Sequence, residues 1–256
     1  MAISRRSFLA GTGMAVAAGT LAGGQAPAAA AKEQPLAAPA QYATYLAGLC
    51  TELKAKWPRN RTVNIVCHGH SVPAGYFKTP VVDTFNAYPH LLHVGLKQGF
   101  PFAVANVIVT AIGGENSVSG AARFKRDVLS HRPRVVTIDY SLNDRRVGLE
   151  KAEAAWSAMI EQALAAKVKV ILMTPTSDVT QLPTASEAQR RPLKDHAEQV
   201  RRLAGKYGVA LADSLAGFEA HVAAGKDLRD LLSQSNHPSR SGHDIATAAL
   251  LKWFPA

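Results

Sequence analysis

The sequence predicts an α/β fold of three layers, α/β/α, with a central parallel sheet of about five strands. Two observations lead to this prediction. Short runs rich in β-branched and apolar residues alternate with longer stretches that have the apolar spacing of helices. The short runs are apolar almost throughout, which is typical of parallel strands covered by helices on both faces.

The elements follow one another in a regular order along the chain. Strands are predicted at 62–67, 103–110, 134–140, 167–174 and 209–212. Helices are predicted at 38–56, 81–98, 117–130, 149–166, 191–207 and 241–253, and Pro89 is expected to bend or interrupt the second of them. Ligand sites in such sheets lie beyond the carboxyl ends of the strands, so residues that directly follow strands are candidates for function.

Residues 1–31 predict an export signal and not a part of the fold. Arg5 and Arg6 form the pair of a twin-arginine signal, a Gly- and Ala-rich apolar stretch follows them, and small residues near 28–31 offer a cleavage site. A plain membrane anchor is the alternative, but the apolar run is short and glycine-rich for a spanning helix. We expect 32–256 to be one domain, exported to the periplasm or cell exterior, with no stable membrane anchor after cleavage.

The composition favours anionic partners. The chain has 29 Lys and Arg residues against 19 Asp and Glu residues, a formal net charge of +10. Such a surface suits acidic polysaccharide, cell-wall polymer or lipid headgroups. The basic residues are dispersed and no nucleic-acid motif accompanies them, so no nucleic-acid partner is predicted. Cys50 and Cys67 are expected to form either one disulfide or two buried thiols.

Four short segments at strand ends or helix starts carry the chemistry. Ser71 directly follows the first strand, and its hydroxyl needs a base to become a strong nucleophile. His237, in the polar loop before the last helix, is the candidate base. Gly114 offers an unobstructed N–H and Asn143 a side-chain amide to a developing oxyanion. Alone, Ser71 and Asn143 are more typical of turns, Gly114 is as typical of a plain loop, and His237 could be a surface histidine. Their joint order at successive strand ends is unlikely by chance.

These segments resemble the SGNH hydrolase superfamily, the GDSL-like lipases, acylhydrolases and esterases, over roughly residues 60–250. The matching blocks are GHS at 69–71, GEN at 114–116, SLND at 141–144 and QSNHP at 234–238. The resemblance implies the flavodoxin-like fold of that superfamily. It gives Ser71 the roles of nucleophile and first oxyanion donor, Gly114 and Asn143 the other oxyanion roles, and His237 the role of base.

The most consequential departure from the family pattern is at Gln234, where the family has an aspartate. That carboxylate orients the imidazole and stabilises its cation. Losing it can lower the kcat of a serine protease by a factor on the order of 10⁴. We expect a Ser71–His237 dyad whose ring is oriented by a main-chain carbonyl or by the Gln234 carbonyl. Asp230 and Asp244 are the alternative acids. Two further departures are at non-reacting positions: His70 replaces the family's Asp in the first block, and Ser141 replaces its Gly in the third.

Several other residues are expected to line the substrate pocket. They are the polar neighbours within the blocks and two aromatic residues after the nucleophile: His70, Tyr76, Phe77, Glu115, Asn116 and Asp144. The aromatic, proline-rich segment 72–89 is expected either to form a lid or acyl-pocket wall or simply to pack. No metal is predicted at the 68/70 and 90/93 histidine pairs, because neither a cysteine cluster nor HExxH spacing accompanies them. No cofactor is predicted, because no phosphate-binding glycine loop is present.

The resemblance therefore implies an exported serine esterase that acts on short, acetyl-type esters by an acyl-enzyme mechanism. The expected substrate is a small-molecule or polysaccharide ester, with carbohydrate as the alcohol portion. Two alternatives remain open: a lipase or lysophospholipase-type acylhydrolase, and a catalytically weakened glycan-binding protein on the same scaffold.

Overall fold

The computed structural model describes residues 40–256, and these lie in one compact unit. The export signal predicted at 1–31 lies outside the described residues and stays a prediction. Within 40–256, each helix is too short or too polar to cross a membrane.

A parallel sheet of five strands runs through the described part of the chain. The strands are β1 (Thr62–Gly69), β2 (Val104–Val109), β3 (Val135–Asp139), β4 (Lys169–Met173) and β5 (Ala210–Ala212). Their spatial order is β2-β1-β3-β4-β5, and every neighbouring pair is parallel. The chain moves from β1 to one side for β2 and to the other side for β3. The switch point at the carboxyl ends of β1 and β3 is where such sheets bind ligands.

Helices cover both faces of this sheet, so the three-layer prediction is confirmed. They are α1 (Ala47–Leu53), α2 (Ser71–Ala74), α3 (Tyr88–Gly99), α4 (Ser117–Asp127), α5 (Ser141–Asp144), α6 (Leu149–Ala165), α7 (Glu187–Tyr207), α8 (Ser214–Ala223) and α9 (Arg240–Leu251). One buried cluster takes side chains from α1, α3 and α9, and another takes them from α4, α6 and the second half of α7. In β1, Ile65 and Cys67 point into the first cluster and Val66 into the second, as strand alternation requires.

Two helices, α3 and α7, differ from their predicted bounds for local reasons. Pro89 lies in the first turn of α3, where its missing N–H leaves no hydrogen bond unmade, so it marks the start of the helix and not a break. α7 begins four residues earlier than predicted, because Ser186 and Gln189 form a capping box, and Pro192 is accommodated inside the helix. Helices α2, α5 and α8 were not predicted, and α1 covers a shorter range than the helix predicted at 38–56.

The two cysteines are both free and buried, so of the two alternatives the structure has thiols and not a disulfide. Burial raises the pKa of Cys67 to about 12, which keeps this thiol protonated at neutral pH.

Candidate active site

Ser71 is the first residue of α2, directly beyond the carboxyl end of β1, and its side chain is buried apart from 6% exposure. Gly69 permits this placement, because an added Cβ would collide with the main-chain oxygen of Asp139 on the neighbouring strand. The turn is capped by His70, whose Nδ1 accepts the N–H of Val72 at 3.2 Å. His70 therefore does for this turn what an Asp, Asn or Ser side chain usually does at a helix N-terminus.

His237 is placed to take the proton of this serine. Its Nε2 lies 3.1 Å from Ser71 Oγ, and its Nδ1 lies 3.1 Å from the main-chain oxygen of Phe77. A carbonyl oxygen can only accept, so the Nδ1 carries the ring hydrogen and the Nε2 lone pair faces Ser71. This is the tautomer that a general base requires.

The electrostatic surroundings keep His237 uncharged. Burial lowers the pKa of His237, because the cation would lose its hydration; the nearby His70 ring lowers the pKa further, and the Phe77 carbonyl opposes both. The ring is therefore neutral at pH 7 and free to accept a proton.

Gln234, at the family's aspartate position, contacts the loop that orients the ring and not the ring itself. Its Oε1 accepts the N–H of Thr79 at 2.8 Å. Beside it, the Ser233 hydroxyl donates to the carbonyl of Phe77 at 3.1 Å. Both bonds join the base loop to the segment that supplies the carbonyl for His237. Of the orienting groups considered from the sequence, a main-chain carbonyl is the one that meets Nδ1.

The two alternative acids bond elsewhere. Asp230 Oδ2 lies 3.8 Å from Nε2 of His221. Asp244 accepts from Arg240 at 3.0 Å, one turn earlier on α9. The expectation that either acid orients His237 is therefore wrong for this structure, because both carboxylates are on the outward side of their loop or helix and have partners there.

The oxyanion-side segments meet the nucleophile segment at the same sheet edge. Gly114 has a φ of +81°, a left-handed conformation that glycine adopts without strain. Asn143 Nδ2 donates to the Glu115 carbonyl at 2.7 Å, and the N–H of Ile112 donates to the Gly69 carbonyl at 3.0 Å. These bonds tie the glycine loop to the ends of β1 and β3. An amide has two N–H groups, so Asn143 keeps one for a ligand.

Tyr76 forms a wall between the base and the glycine loop. Its ring centroid is 5.9 Å from that of His237. On its other side, an added Cβ at Gly113 would lie 2.8 Å from the tyrosine ring, so glycine is what lets the ring approach. Phe77, the other aromatic candidate, enters the site through its main-chain oxygen. Any residue type supplies a main-chain oxygen, so the sequence does not indicate this role.

Two of the expected pocket residues lie behind the site. Asp144 is fully buried, and its carboxylate accepts the N–H of Ser117 at 2.8 Å and the indole N–H of Trp156 at 2.7 Å. It joins α4 to α6 and does not face substrate. Burial raises the pKa of Asp144, and these hydrogen bonds oppose the rise. His70 is 1% exposed and likewise points inward.

Glu115 and Asn116 also have structural partners. The Glu115 carboxylate accepts from Nε of Arg123 at 2.9 Å. The Asn116 side chain accepts the N–H groups of Val118 and Ser119, which caps α4. Both side chains hold the glycine loop in place, which corrects their assignment as pocket-lining groups.

Asp139 is a member of the site that sequence reasoning missed. Its Oδ1 lies 3.4 Å from Nε2 of His70, within ion-pair distance but without hydrogen-bond alignment. Among the described residues neither atom has a geometrically aligned hydrogen-bond partner, and both side chains are at most 2% exposed. The signal that could have found it is an acidic residue ending an otherwise apolar strand.

His68, in the first of the histidine pairs considered for metal, has other contacts. His68 Nδ1 lies 2.9 Å from Thr110 Oγ1 and its Nε2 lies 3.2 Å from the Gly120 carbonyl. Burial, with the charge of Arg123, lowers the pKa of His68 to about 4. Residues 40–256 bring no three potential metal ligands together.

Comparison with known proteins gives the same assignment as the motifs. The model of the GDSL-like Lipase/Acylhydrolase family matches residues 67–245. No curated protein sequence matches the chain.

Solved structures share the fold at low sequence identity. Axe2, an acetylxylan esterase from Geobacillus stearothermophilus, is 21% identical with a TM-score of 0.65, covering 76% of this chain and 94% of its own. A catalytic mutant of Axe2 aligns with a TM-score of 0.66 at 20% identity, over 79% and 97% of the two chains. LAE5, an alpha/beta hydrolase enzyme from the metagenome of Lake Arreo, Spain, is 20% identical with a TM-score of 0.64, over 75% and 94%.

Proposed function

The chain belongs to the GDSL-like lipase/acylhydrolase family, and we propose that it is an exported serine esterase that removes short, acetyl-type acyl groups from carbohydrate. Family membership supports a hydrolase that acts on esters. The observation that supports a serine mechanism is the 3.1 Å contact between Ser71 Oγ and Nε2 of a neutral His237. That contact is what a serine needs to become nucleophilic.

The reaction takes place in two halves. His237 Nε2 takes the Ser71 proton as Oγ attacks the ester carbonyl, and the resulting oxyanion accepts hydrogen bonds from the N–H groups of Ser71 and Gly114 and from the Asn143 amide. The tetrahedral intermediate expels the alcohol, which leaves with the proton from His237. Water then loses a proton to His237 and attacks the acyl-serine, and Ser71 recovers its proton as the acid departs.

The orientation of the base does not need a carboxylate in this mechanism. The Phe77 carbonyl fixes the ring tautomer through a 3.1 Å bond to Nδ1. It stabilises the imidazolium less than an aspartate, because it supplies a dipole in place of a charge. We therefore expect turnover on activated esters to exceed turnover on poorly activated ones by more than in a triad enzyme.

We propose a short acyl group because the Tyr76 ring stands between His237, 5.9 Å away between ring centroids, and Gly113, and so takes up space beside the base. Carbohydrate as the alcohol portion is supported by analogy of fold alone, since Axe2 acts on acetylxylan. Acetate release from acetylated xylan tests this part. If the protein hydrolyses simple acetates but releases no acetate from acetylated xylan, the carbohydrate part of the proposal is wrong and the short-acyl part stands.

The test of the activity is hydrolysis of p-nitrophenyl acetate, butyrate and octanoate by the purified chain from residue 32, beside Ser71→Ala. We expect Ser71-dependent turnover that falls steeply with acyl length. A maximum at octanoate would favour a lipase-type acylhydrolase. Equal rates for the parent chain and Ser71→Ala on every ester would overturn the proposed esterase activity and favour the glycan-binding alternative.

Export through the twin-arginine pathway is proposed from the sequence of residues 1–31. Arg5→Lys with Arg6→Lys should leave the precursor inside the cell, whereas the parent sequence should appear outside with a new N-terminus near residue 32. Export of both forms would contradict the proposed route.

A further inference from the structure

A basic surface with one exposed indole lies at the amino end of β1, away from the catalytic serine. We define it by Lys54, Lys56, Trp57, Arg59, Arg61 and Arg132. Residues 54–61 read KAKWPRNR, with four cations and no acid in eight residues. All six defining side chains are exposed.

Hydrogen bonds connect residues 60 and 64 to the segments that lead into β2 and β3. Asn60 Nδ2 donates to the carbonyl of Phe102, in the loop that leads into β2, at 3.1 Å. Asn64 Nδ2 donates to the carbonyl of His131, in the loop that leads into β3, at 2.8 Å. Arg132 directly follows His131, so it enters the fold at the same end of the sheet as the segment 54–61, which leads into β1.

The positive charge of this surface is not neutralised within the described part of the chain. Glu52, the acid closest in sequence, makes a 2.7 Å hydrogen bond to Arg134. Arg61 donates to two main-chain carbonyls, which leaves its charge intact. Residues 40–256 provide no ion-pair partner for Arg59 or Arg132. Like charges left unpaired on one face create a field that attracts a polyanion.

Trp57 adds a second kind of contact. It is 84% exposed, the highest value among the large apolar side chains of the described residues. The flat face of an indole suits the C–H face of a sugar ring, and its N–H remains available for a hydroxyl. Nearby, the Lys56 ammonium lies 4.5 Å above the Phe102 ring, so that aromatic face is already covered by a cation.

The position of this surface separates it from catalysis. Ser71 follows the carboxyl end of β1 and the basic surface precedes its amino end. Eight strand residues at about 3.3 Å each place the two roughly 25 Å apart. A polymer held here would leave the serine accessible.

We propose that this basic surface binds an acidic polysaccharide, with its carboxylates on the arginines and lysines and one sugar ring on Trp57. A membrane with anionic lipids is the competing class. Membrane binding by a surface of this size requires a broader apolar face than one indole and a lysine-covered phenyl ring. The proposal is independent of the esterase activity, because small-ester hydrolysis does not involve these residues.

The test measures binding of the purified chain from residue 32 to polygalacturonate, to neutral xylan and to phosphatidylglycerol vesicles at low salt. We expect Arg59→Glu with Arg132→Glu to weaken polygalacturonate binding at least tenfold and Trp57→Ala to weaken it severalfold. Binding should also weaken as salt rises. The melting temperature and p-nitrophenyl acetate hydrolysis should be unchanged, which shows that the variants are folded.

The matched control is Lys125→Glu with Lys194→Glu, which makes the same charge change at exposed positions on α4 and α7. We expect it to weaken polygalacturonate binding less than threefold. Three results would overturn the proposal: no polygalacturonate binding by the parent chain, equal losses in both double variants, or binding to the vesicles alone. Ser71→Ala should bind the polymer like the parent chain, so a failed esterase and a failed binding surface give different results.

Discussion

Two histidines flank the Ser71 hydroxyl, and their surroundings are opposite. His237 has Nδ1 on a main-chain carbonyl and Nε2 3.1 Å from Ser71 Oγ. His70 has Nε2 beside the buried Asp139 carboxylate, and its Nδ1, 3.4 Å from the same Oγ, accepts the N–H of Val72. In residue types alone, the His70 side has the carboxylate–imidazole–serine order of a triad.

The base is identified by a ring nitrogen whose lone pair can accept the serine proton, and not by a neighbouring carboxylate. The Nδ1 lone pair of His70 is already occupied by the Val72 N–H, so protonating it would break the cap of the nucleophile turn. The Nε2 lone pair of His237 has Ser71 as its partner. In the proposed mechanism His237 is therefore the base, and His70 is a positioning residue that acts by capping the turn of Ser71.

The largest effect is expected for His237→Ala. Removing the base should lower kcat/KM for p-nitrophenyl acetate by about 10⁴–10⁶, similar to Ser71→Ala, because the two residues act as one unit. The double variant should be no slower than either single one. If His237→Ala kept a tenth of the activity, His70 or water would have to be the base.

The second-largest effect is expected for Asn143→Ala, which removes a hydrogen-bond donor to the oxyanion. Asn143→Ala should lower kcat by about 10²–10³ with little change in KM, since the donor acts on the transition state. Circular dichroism and melting of the variant check that losing the 2.7 Å bond to Glu115 has not unfolded the glycine loop. A rise in KM at constant kcat would assign Asn143 to substrate binding.

Substitutions at His70 and Asp139 test whether the His70 imidazole only caps the turn of Ser71. His70→Asp restores the family residue but places two carboxylates together in a buried site, so activity should fall at least tenfold and the melting temperature should drop. Adding Asp139→Asn should restore activity to within about threefold, because the cap then has an acceptor without charge repulsion. His70→Asn should also stay active. Failure of the double variant to recover would mean that the imidazole itself takes part in the reaction.

The pH profile of kcat/KM tests the surroundings of His237. Burial lowers the pKa of His237 below its usual 6.5, and the base works only when neutral. As pH falls, kcat/KM should therefore persist below 6.5 before it is lost. An acid limb centred above 6.5 would show that an anionic group stabilises the imidazolium, as in a full triad. His70→Asn, measured over the same range, should leave this limb in place.

The smallest effect is expected for Gln234→Ala. It removes one neutral hydrogen bond, to the Thr79 N–H, which is worth about 0.5–1.5 kcal/mol and should lower kcat about two- to tenfold. Gln162→Ala, which removes a side-chain bond within α6, is the control and should not change kcat. A loss near 10³ would indicate that Gln234 orients the ring directly.

The sequence predicted the layers, the strand positions and the segments that meet at the switch point, because each depends on local patterns. Apolar strands, a glycine after β2 and a polar loop before α9 are visible in residue types. The Phe77 carbonyl and the His70 cap were not predictable, because a main-chain oxygen has no residue signature and a histidine N-cap is uncommon. Asp144 was misplaced because its burial depends on α6, which is distant in the sequence.

The most direct test of the central claim is the rate at which a fluorophosphonate labels Ser71, followed by intact mass and peptide mapping. The parent chain should be labelled at Ser71, His237→Ala should be labelled at least a hundredfold more slowly, and His70→Asn should be labelled at close to the parent rate. Unchanged labelling of His237→Ala, or loss of labelling in a folded His70→Asn variant, would contradict the assignment of His237 as the base.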